Sequence, residues 1–231
     1  MPNSTLIQTE RSSLDKWQFP DMPLLEACCE DVRSLLTIRP QIRVYGKICH
    51  QNRNIGFFSD DSIGYRYSGQ LARSKPLTEN LKTLIDVINE QTGSNFNGIL
   101  VNEYLDGTNS IGAHSDDESG LGNNGVVGIS VGARRKFRIR HKGSKQIYDK
   151  KNEIFMESGD VIHMKGAFQE EFTHEIPVEK RYVGNDVSRH KFVYKPVVEI
   201  QPSLVNRSHA FRQHAWPADR QSISHETHLL H

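Results

Sequence analysis

The stretch GSNFNGILVNEY at residues 93–104 marks the point where the apolar pattern of the chain changes. Before Gly93, apolar residues recur every three or four positions, which is typical of an amphipathic helix. After Gly93 the pattern becomes alternating, which is typical of a strand with one buried face. The change predicts a helical part followed by a β-rich part.

Two helices are predicted before this point. The first runs from Met22 to Leu36, and the second carries a clearer apolar stripe from Leu77 to Ile88. Gly93 stands where the C-cap of the second helix belongs. Between the helices we expect a short strand with a turn at residues 42–46, and hairpin or loop material at residues 54–69.

Seven short strands are predicted after Gly93, separated by glycine-rich or charged turns. Such a series indicates a sandwich or jelly roll. The predicted fold class is therefore mainly β (α+β), a double-stranded β-helix (jelly roll) with the N-terminal helices packed outside. The predicted strands are Phe96–Tyr104, Val126–Val131, Lys136–His141, Gln146–Phe155, Asp160–Lys165, Phe172–Ile176 and Arg189–Pro196.

The length of 231 residues suits one domain with short extensions. We expect a loose polar lead-in at residues 1–20, the domain at residues 21–200 and a polar C-terminal tail at residues 201–231.

The composition argues against a membrane protein, a secreted protein and a strongly basic nucleic-acid-binding protein. Apolar residues make up 36% of the chain and charged residues 25%, which suits a globular protein, and no apolar run is long enough to span a membrane. The N-terminus lacks the apolar core of a secretory signal. The 3 cysteines form no disulfide framework, so we expect an intracellular, reducing compartment, the nucleus or cytoplasm. Because the net charge is only +1, nucleic-acid binding cannot rest on a global basic field.

A candidate metal site begins at His114-Ser115-Asp116. On a strand, this spacing places both potential ligands on one face. A distant second histidine would complete a 2-His-1-carboxylate triad, which leaves metal positions open for oxygen and a chelating co-substrate. Alone, the pattern is a weak signal, and the alternative is a polar pair on a surface loop.

One face of the predicted strand at residues 96–104 and one face of the predicted strand at residues 189–196 suggest that an anion binds inside the β-rich part. Asn102 and Tyr104 share a strand face with an apolar residue, so they could hydrogen-bond a carboxylate in a partly dry pocket. Near the end of the domain, Arg189 and Lys195 share a face with Lys191. A guanidinium inside a barrel requires an anionic partner, whereas on an edge strand these charges would simply be solvated.

A row of basic residues lies at alternate positions in the predicted strand around Phe137 and Ile139, which face the other way. Such a row could contact a phosphate backbone, because like charges in one row repel unless an anion is present. The alternative is a solubilising outer face. The row consists of Arg134, Lys136, Arg138, Arg140 and Lys142.

Taken together, these residues resemble the AlkB family of Fe(II)/2-oxoglutarate-dependent dioxygenases. The resemblance covers roughly residues 42–196 in order, and its N-terminal part is similar to the DNA-repair branch. The matching segments are VYGK at 44–47, Arg53, YRYSG at 65–69, NEYLDG at 102–107, IGAHSDDE at 111–118, ISVGAR at 129–134, FRIRHK at 137–142, SGDVIHMKG at 158–166, Gln169 and HEIP at 174–177.

The resemblance implies Fe(II), 2-oxoglutarate and O2 as cofactor and co-substrates. It implies His114, Asp116 and His174 as iron ligands, since His174 stands in the family's His-x-x-Pro context. His163 and His190 are then ordinary strand residues.

For 2-oxoglutarate, the resemblance implies that Arg189 binds the distal carboxylate with help from Asn102 and Tyr104. The family pattern ends with two arginines separated by five residues, and in this chain the second is replaced by Lys195. Lysine keeps the charge but loses the planar fork that binds a carboxylate at two points.

The implied activity is oxidative removal of alkyl groups from bases such as 1-methyladenine and 3-methylcytosine in DNA or RNA. A flipped base would stack on Tyr67 near Tyr65, and Glu118 would contact its exocyclic amine. Tyr45 would fill the vacated gap in a duplex, and Arg53 belongs to the same substrate-binding set. For both Tyr65 and Tyr67 the alternative is core packing.

Two other functions remain open on the sequence. One is a 2-oxoglutarate-dependent hydroxylase of protein side chains, which would keep the metal residues but have no use for Tyr67 or Glu118. The other is a nucleic-acid-binding module whose catalytic centre has lapsed, a hypothesis that Lys195 keeps open. We expect a nucleic-acid partner, no membrane association and a monomer.

Overall fold

A large sheet and a small sheet face each other across the interior. The computed structural model describes residues 4–44, 46–67, 70–116, 124–149, 153–180 and 191–197. Within these ranges the strands are β1 Ser4–Gln8, β2 Ser12–Gln18, β3 Gln41–Val44, β4 Lys47–His50, β5 Asn54–Phe58, β6 Gly64–Tyr67, β7 Gln70–Lys75, β8 Gly98–Tyr104, β9 Ile111–His114, β10 Val126–Gly132, β11 Arg135–His141, β12 Ile154–Met156, β13 Asp160–Gly166, β14 Phe172–Ile176 and β15 Lys191–Val197.

In the described residues the large sheet has the order β1-β2-β13-β10-β15-β8-β5-β7-β6, and the small sheet has the order β12-β11-β14-β9. β3 and β4 form a separate antiparallel hairpin. Apart from the parallel pair β5 and β7, the strands pair antiparallel. The two facing antiparallel sheets confirm the predicted mainly β jelly roll.

The helices are α1 Met22–Arg33, α2 Glu79–Thr92 and the short α3 Phe168–Glu171. Asp21 caps α1, Thr78 caps α2, and Gly93 ends α2 with a left-handed φ of 64°. The buried stripes of α1 and α2 share one core cluster with residues of the large sheet, including Val127, Ile129 and Tyr194. The predicted outside packing of both helices is therefore confirmed.

A second core cluster fills the space between the sheets. Tyr104 and Val126 from the large sheet meet Phe137, Ile139 and Phe172 from the small sheet. This interior core holds the two sheets together and forms the floor of a cavity between them.

Residues 4–18 are not the loose lead-in that their polarity predicted. β2 pairs with β13 over its whole length, from Asp160 opposite Gln18 to Gly166 opposite Ser12. Leu14 and Trp17 point to opposite faces of the sheet and enter the two different cores, which is why this polar segment is ordered. The predicted tail at residues 201–231 lies outside the described residues.

Two other expectations are corrected. β5 is a fully buried inner strand paired with β8, although residues 54–69 were expected to be hairpin or loop; the remainder does form the hairpin of β6 and β7. Of the strand expected at Gln146–Phe155, the described residues 146–149 and 153–155 contain only the first two residues of Ile154–Met156, and residues 150–152 lie outside the described part. Gly143 and Asp149 adopt positive φ angles before it, which interrupts extended backbone. The other predicted strands are found, each within two residues of the expected ends.

Candidate active site

The predicted metal ligands come together at the cavity face of the small sheet. β9 and β14 pair so that His114 lies directly opposite His174. Asp116 follows β9 by two residues, and its backbone N–H donates to the side-chain oxygen of Gln169 at 2.9 Å. Pairing of the two strands therefore brings together residues that are far apart in the sequence.

The ligand atoms are arranged around one point. His114 Nε2 lies 3.6 Å from one carboxylate oxygen of Asp116, and His174 Nε2 lies 3.4 Å from the other. All three ligand atoms lie within 4.8 Å of one another. Nitrogen and oxygen ligands at about 2.1 Å from a shared ion lie about 3 Å apart at right angles, so this set requires only a small contraction.

Neighbouring groups orient both imidazoles. The Nδ1–H of His114 donates to the carbonyl of Gly112 at 2.9 Å, which leaves its Nε2 lone pair for a metal. The Phe137 ring stacks on His174 at 5.5 Å between centroids. Two imidazoles and one carboxylate, held in this way, fit Fe(II) in a facial triad with open positions.

His163 has a different environment. Its Nε2 lies 2.7 Å from the carbonyl oxygen of Asn124, and its ring makes an edge contact with Trp17 in the core that also contains α1 and α2. Burial lowers the pKa of its imidazole below the ordinary value. It is not part of the ligand cluster found among the described residues, as expected from the sequence. His190 lies outside the described residues.

A cavity of about 350 Å³ extends from the ligand cluster into the space between the sheets. This volume is in the range of small-molecule sites, and its walls are largely apolar with a few polar groups, as such sites usually are. Asn102 and Tyr104, the two residues expected to help bind 2-oxoglutarate, line it. Arg53 also lines it and donates from Nε to the Asn102 side-chain oxygen at 2.7 Å.

The predicted cations for the distal carboxylate are only partly visible. Arg189 lies outside the described residues, and only the backbone of Lys195 is described, on β15 opposite Leu100. Lys191 on the same strand is fully buried, and its ammonium donates to the carbonyls of Ala133 and Met156 at 2.8 Å each. Burial lowers the pKa of Lys191 to about 7.

Of the residues predicted to contact the base, some are described by the structure and others are not. Tyr65 is buried, packs against Phe57 at 5.7 Å between centroids and lines the cavity, so it belongs to the core and the wall together. Tyr45 and Glu118 lie outside the described residues, and of Tyr67 only the backbone is described, at the end of β6.

The basic row does not line the cavity. Its side chains lie on the outer face of β11, because Phe137 and Ile139 take the inner face. Three glutamates of neighbouring segments form ion pairs with four of its five cations, so the row is partly compensated and the alternative of a solubilising outer face fits better. The ion pairs are Arg134–Glu157 at 3.2 Å, Lys136–Glu153 at 2.6 Å, Arg138–Glu175 at 3.6 Å and Arg140–Glu175 at 2.8 Å, while Lys142 donates to the carbonyl of Gln169.

Sequence reasoning missed Arg135, which lies between two members of that row. Its side chain is 1% exposed and pairs with Glu179 at 3.3 Å. It also donates to the carbonyls of Asp106, Asn109 and Pro177 at 2.8–3.0 Å. Arg135 thus ties the loop before β9 to the segment after β14, and so holds the two ligand-bearing strands together. Its shared parity with Phe137 was the available signal.

Fold and site define a class: two imidazoles and a carboxylate inside a jelly roll are the metal centre of non-haem iron oxygenases. The chain belongs to the 2OG-Fe(II) oxygenase superfamily, whose sequence profile it matches over residues 21–215. Membership implies Fe(II), 2-oxoglutarate and O2, in agreement with the cofactors predicted from the sequence.

Similar proteins agree with this family. The DNA oxidative demethylase ALKBH2 of Mus musculus is 30% identical over 153 residues, which cover 64% of each protein. The alpha-ketoglutarate-dependent dioxygenase alkB homolog 3 of Rattus norvegicus is 32% identical over 165 residues, covering 68% of this chain and 54% of the relative. The chain thus spans less than two thirds of the length of these relatives. The resemblance to the AlkB family is confirmed.

A solved structure, that of OsALKBH1, aligns with a TM-score of 0.53 at 14% identity and covers 85% of this chain and 100% of its own. At this identity it supports the fold alone. In the described part of the chain, the helices are too short or too polar to cross a membrane.

Proposed function

We propose that this protein oxidatively dealkylates N-alkylated bases, such as 1-methyladenine and 3-methylcytosine, in DNA or RNA. The observation that carries the proposal is the cluster of His114, Asp116 and His174 at the wall of a cavity between the sheets, with Asp116 and His174 buried and His114 half-buried. The similar protein ALKBH2 is a DNA oxidative demethylase, which supports the nucleic-acid substrate.

When bound, iron and 2-oxoglutarate would supply the oxidation of the N-alkyl carbon, which ordinary side chains cannot perform. His114, Asp116 and His174 would hold the iron. Asn102 and Tyr104 would bind 2-oxoglutarate, with Arg189 and Lys195 as proposed partners of its distal carboxylate. The apolar cavity walls would exclude water from the reacting groups.

The substrate side of the cavity carries the remaining proposed contacts. Tyr65 and Arg53 are on the wall already, and Tyr67, Glu118 and Tyr45 are proposed from the family resemblance. A base would have to leave its stack to enter, since the ligand cluster lies inside the protein.

The proposal is tested by a product assay on oligonucleotides that contain a single 1-methyladenine or 3-methylcytosine. We expect demethylated base and succinate in equal amounts, and no product when iron or 2-oxoglutarate is omitted. Succinate formation with protein fractions but never with oligonucleotides would favour the protein hydroxylase. Oligonucleotide binding without succinate from any substrate would favour the lapsed module.

DNA and RNA versions of each oligonucleotide, in single and double strands, would identify the nucleic acid. We also propose an intracellular, reducing location, supported by three cysteines that are all free thiols.

A further inference from the structure

The candidate metal ligand Asp116 lies beyond the part of β9 that pairs with β14. The pairing places His114 opposite His174, and β9 ends at His114. Asp116 is nevertheless buried, and a buried backbone N–H needs an acceptor because leaving it unmatched is costly. The side-chain oxygen of Gln169 accepts from this N–H at 2.9 Å. Gln169 therefore provides the acceptor that a neighbouring strand provides within a sheet.

The side chain of Gln169 is held in one orientation. Its amide nitrogen donates to the sulfur of Met164 at 3.5 Å, which leaves the amide oxygen for Asp116. Exchanging the two amide atoms would place the NH2 group against the backbone N–H, so that two donors would face each other. The backbone carbonyl of Gln169 also accepts from Lys142 Nζ at 3.2 Å. Side chain and backbone are thus both fixed.

The short helix α3, which carries Gln169, is anchored on two sides. Phe168 is fully buried and packs on Phe172 at 4.8 Å between ring centroids. On the other side, the hydroxyl of Ser12 at the start of β2 donates to the carboxylate of Glu171. The helix therefore presents Gln169 to Asp116 from a fixed point.

Gln169 does not line the cavity, whereas Asp116, His114 and His174 do. It can act on a bound metal only by fixing the backbone of Asp116, and hence the direction of its carboxylate. Loss of a group that orients a metal ligand in this way typically lowers metal affinity or activity by about 10–100-fold. The hydrogen bond is therefore in a position to affect metal binding.

We propose that Gln169 is a positioning residue of the metal centre: its side-chain oxygen holds the backbone of Asp116 so that the carboxylate faces the two imidazoles. The inference rests on the proposed ligand roles of His114, Asp116 and His174. It extends the metal centre to α3, which supplies none of the ligands.

The test measures the Mn²⁺ affinity of the metal-free protein from the electron paramagnetic resonance signal of the unbound ion, so it does not depend on turnover. Gln169→Met removes the acceptor at nearly constant side-chain length, and Gln169→Glu retains an acceptor oxygen. Gln91→Met is the matched control. The side-chain oxygen of Gln91 accepts from Trp17 Nε1 at 3.0 Å next to the core that contains α1 and α2, so this variant loses the same kind of bond away from the cavity.

In Gln169→Met we expect Mn²⁺ affinity to fall by about 10-fold. Gln169→Glu should bind Mn²⁺ at least as tightly as the wild type, because the acceptor is retained, and Gln91→Met should keep wild-type affinity. Wild-type affinity in Gln169→Met would overturn the inference. An equal fall in Gln91→Met would overturn it too, because affinity would then follow stability. A fall in Gln169→Glu as large as in Gln169→Met would show that the oxygen is not what matters.

Melting of the metal-free proteins separates positioning from folding. Each Gln→Met variant loses one hydrogen bond, so both should melt at most about 4 °C below the wild type. A much larger fall in Gln169→Met alone would show a folding defect and overturn the inference.

Asp116→Ala distinguishes failure of the inference from failure of the proposed metal site. This variant loses a ligand and should bind Mn²⁺ at least about 100-fold more weakly than the wild type. If Asp116→Ala and the wild type bind Mn²⁺ equally, the proposed ligand set is wrong. If Asp116→Ala loses binding and Gln169→Met does not, the ligand set stands and the role of Gln169 is refuted.

Discussion

The two faces of the small sheet both carry polar side chains but use them differently. On the outer face, the charges of the basic row lie opposite glutamates and form cross-strand ion pairs. On the inner face, His114, Asp116 and His174 converge on a point at which a metal would complete their bonding. Adjacent residues therefore have different roles: His174 belongs to the ligand cluster, and Glu175 forms ion pairs on the outer face.

The contrast shows that charge density alone does not identify a functional surface. The basic row is prominent in the sequence, yet the structure compensates it locally. The groups that point to function are the two imidazoles and the carboxylate of the inner face, whose ligand atoms lie within 4.8 Å of one another. Variants that change one kind of group and not the other test this distinction.

The largest difference is expected between His174→Ala and Glu175→Gln, which change adjacent residues on opposite faces of β14. Loss of the second imidazole should lower succinate formation at least about 1,000-fold, because the metal would lose a ligand. Glu175→Gln breaks outer-face ion pairs and should change turnover by less than about 2-fold. If the two variants show comparable activity, the assignment of the inner face is wrong.

Lys191 is a fully buried cation on β15, hydrogen-bonded to two backbone carbonyls. Its pKa is lowered by burial to about 7, against 10.5 for an ordinary lysine. Between these values the unfolded chain holds a proton that the folded protein lacks, so the folded protein gains stability as the pH rises through this window and bears the full cost of the charge below pH 7.

Lys191→Met removes that pH dependence. Between about pH 7 and pH 9.5, the unfolding free energy of the wild type should rise by about 3 kcal/mol because of Lys191. The unfolding free energy of the variant should lack this rise. Urea unfolding at several pH values measures the difference. Parallel curves for the two proteins would show that Lys191 titrates normally.

Arg135 and Arg138 compare a buried cation with a partly exposed one on the same strand. Arg135→Met leaves Glu179 buried without its cation and releases three backbone carbonyls, which should cost about 3–5 kcal/mol of unfolding free energy. Arg138→Met should cost less than about 1 kcal/mol, since its ion pairs are partly solvated. Equal losses in urea unfolding would show that burial does not distinguish them.

The smallest effect is expected on the outer face. In the double variant Arg138→Gln/Arg140→Gln, affinity for a single-stranded oligonucleotide should change by less than about 2-fold, and the salt dependence of binding should be unchanged. A reduction of the slope of log affinity against log salt by about 1.4 would mean that both arginines contact phosphates, and the outer face would then belong to the substrate site.

The sequence predicted those features that depend on local pattern. Alternation along the chain located most strands, and the spacing of His114 and Asp116 indicated two candidate metal ligands. The third candidate, His174, came from the resemblance to the AlkB family. The ordering of β1 and β2 was missed, because Leu14 and Trp17 are isolated in a polar segment and stabilise it only by entering two separate cores. Periodicity contains no information about such long-range packing.

Pairing and burial explain the other errors. Glu175 forms ion pairs with Arg138 and Arg140 from another strand, and nothing near the basic row in the sequence indicates it. A partner supplied by tertiary structure, or its absence, cannot be read from residue type and spacing.

The site depends above all on His114, Asp116 and His174 holding one metal ion. The most direct test is a crystal structure of the protein loaded anaerobically with Mn²⁺ as a redox-inert substitute for Fe(II), with the ion located by anomalous scattering. We predict one strong peak between the sheets, bonded to side-chain atoms of all three residues. A peak elsewhere, or an ion that His174 does not bind, would contradict this assignment.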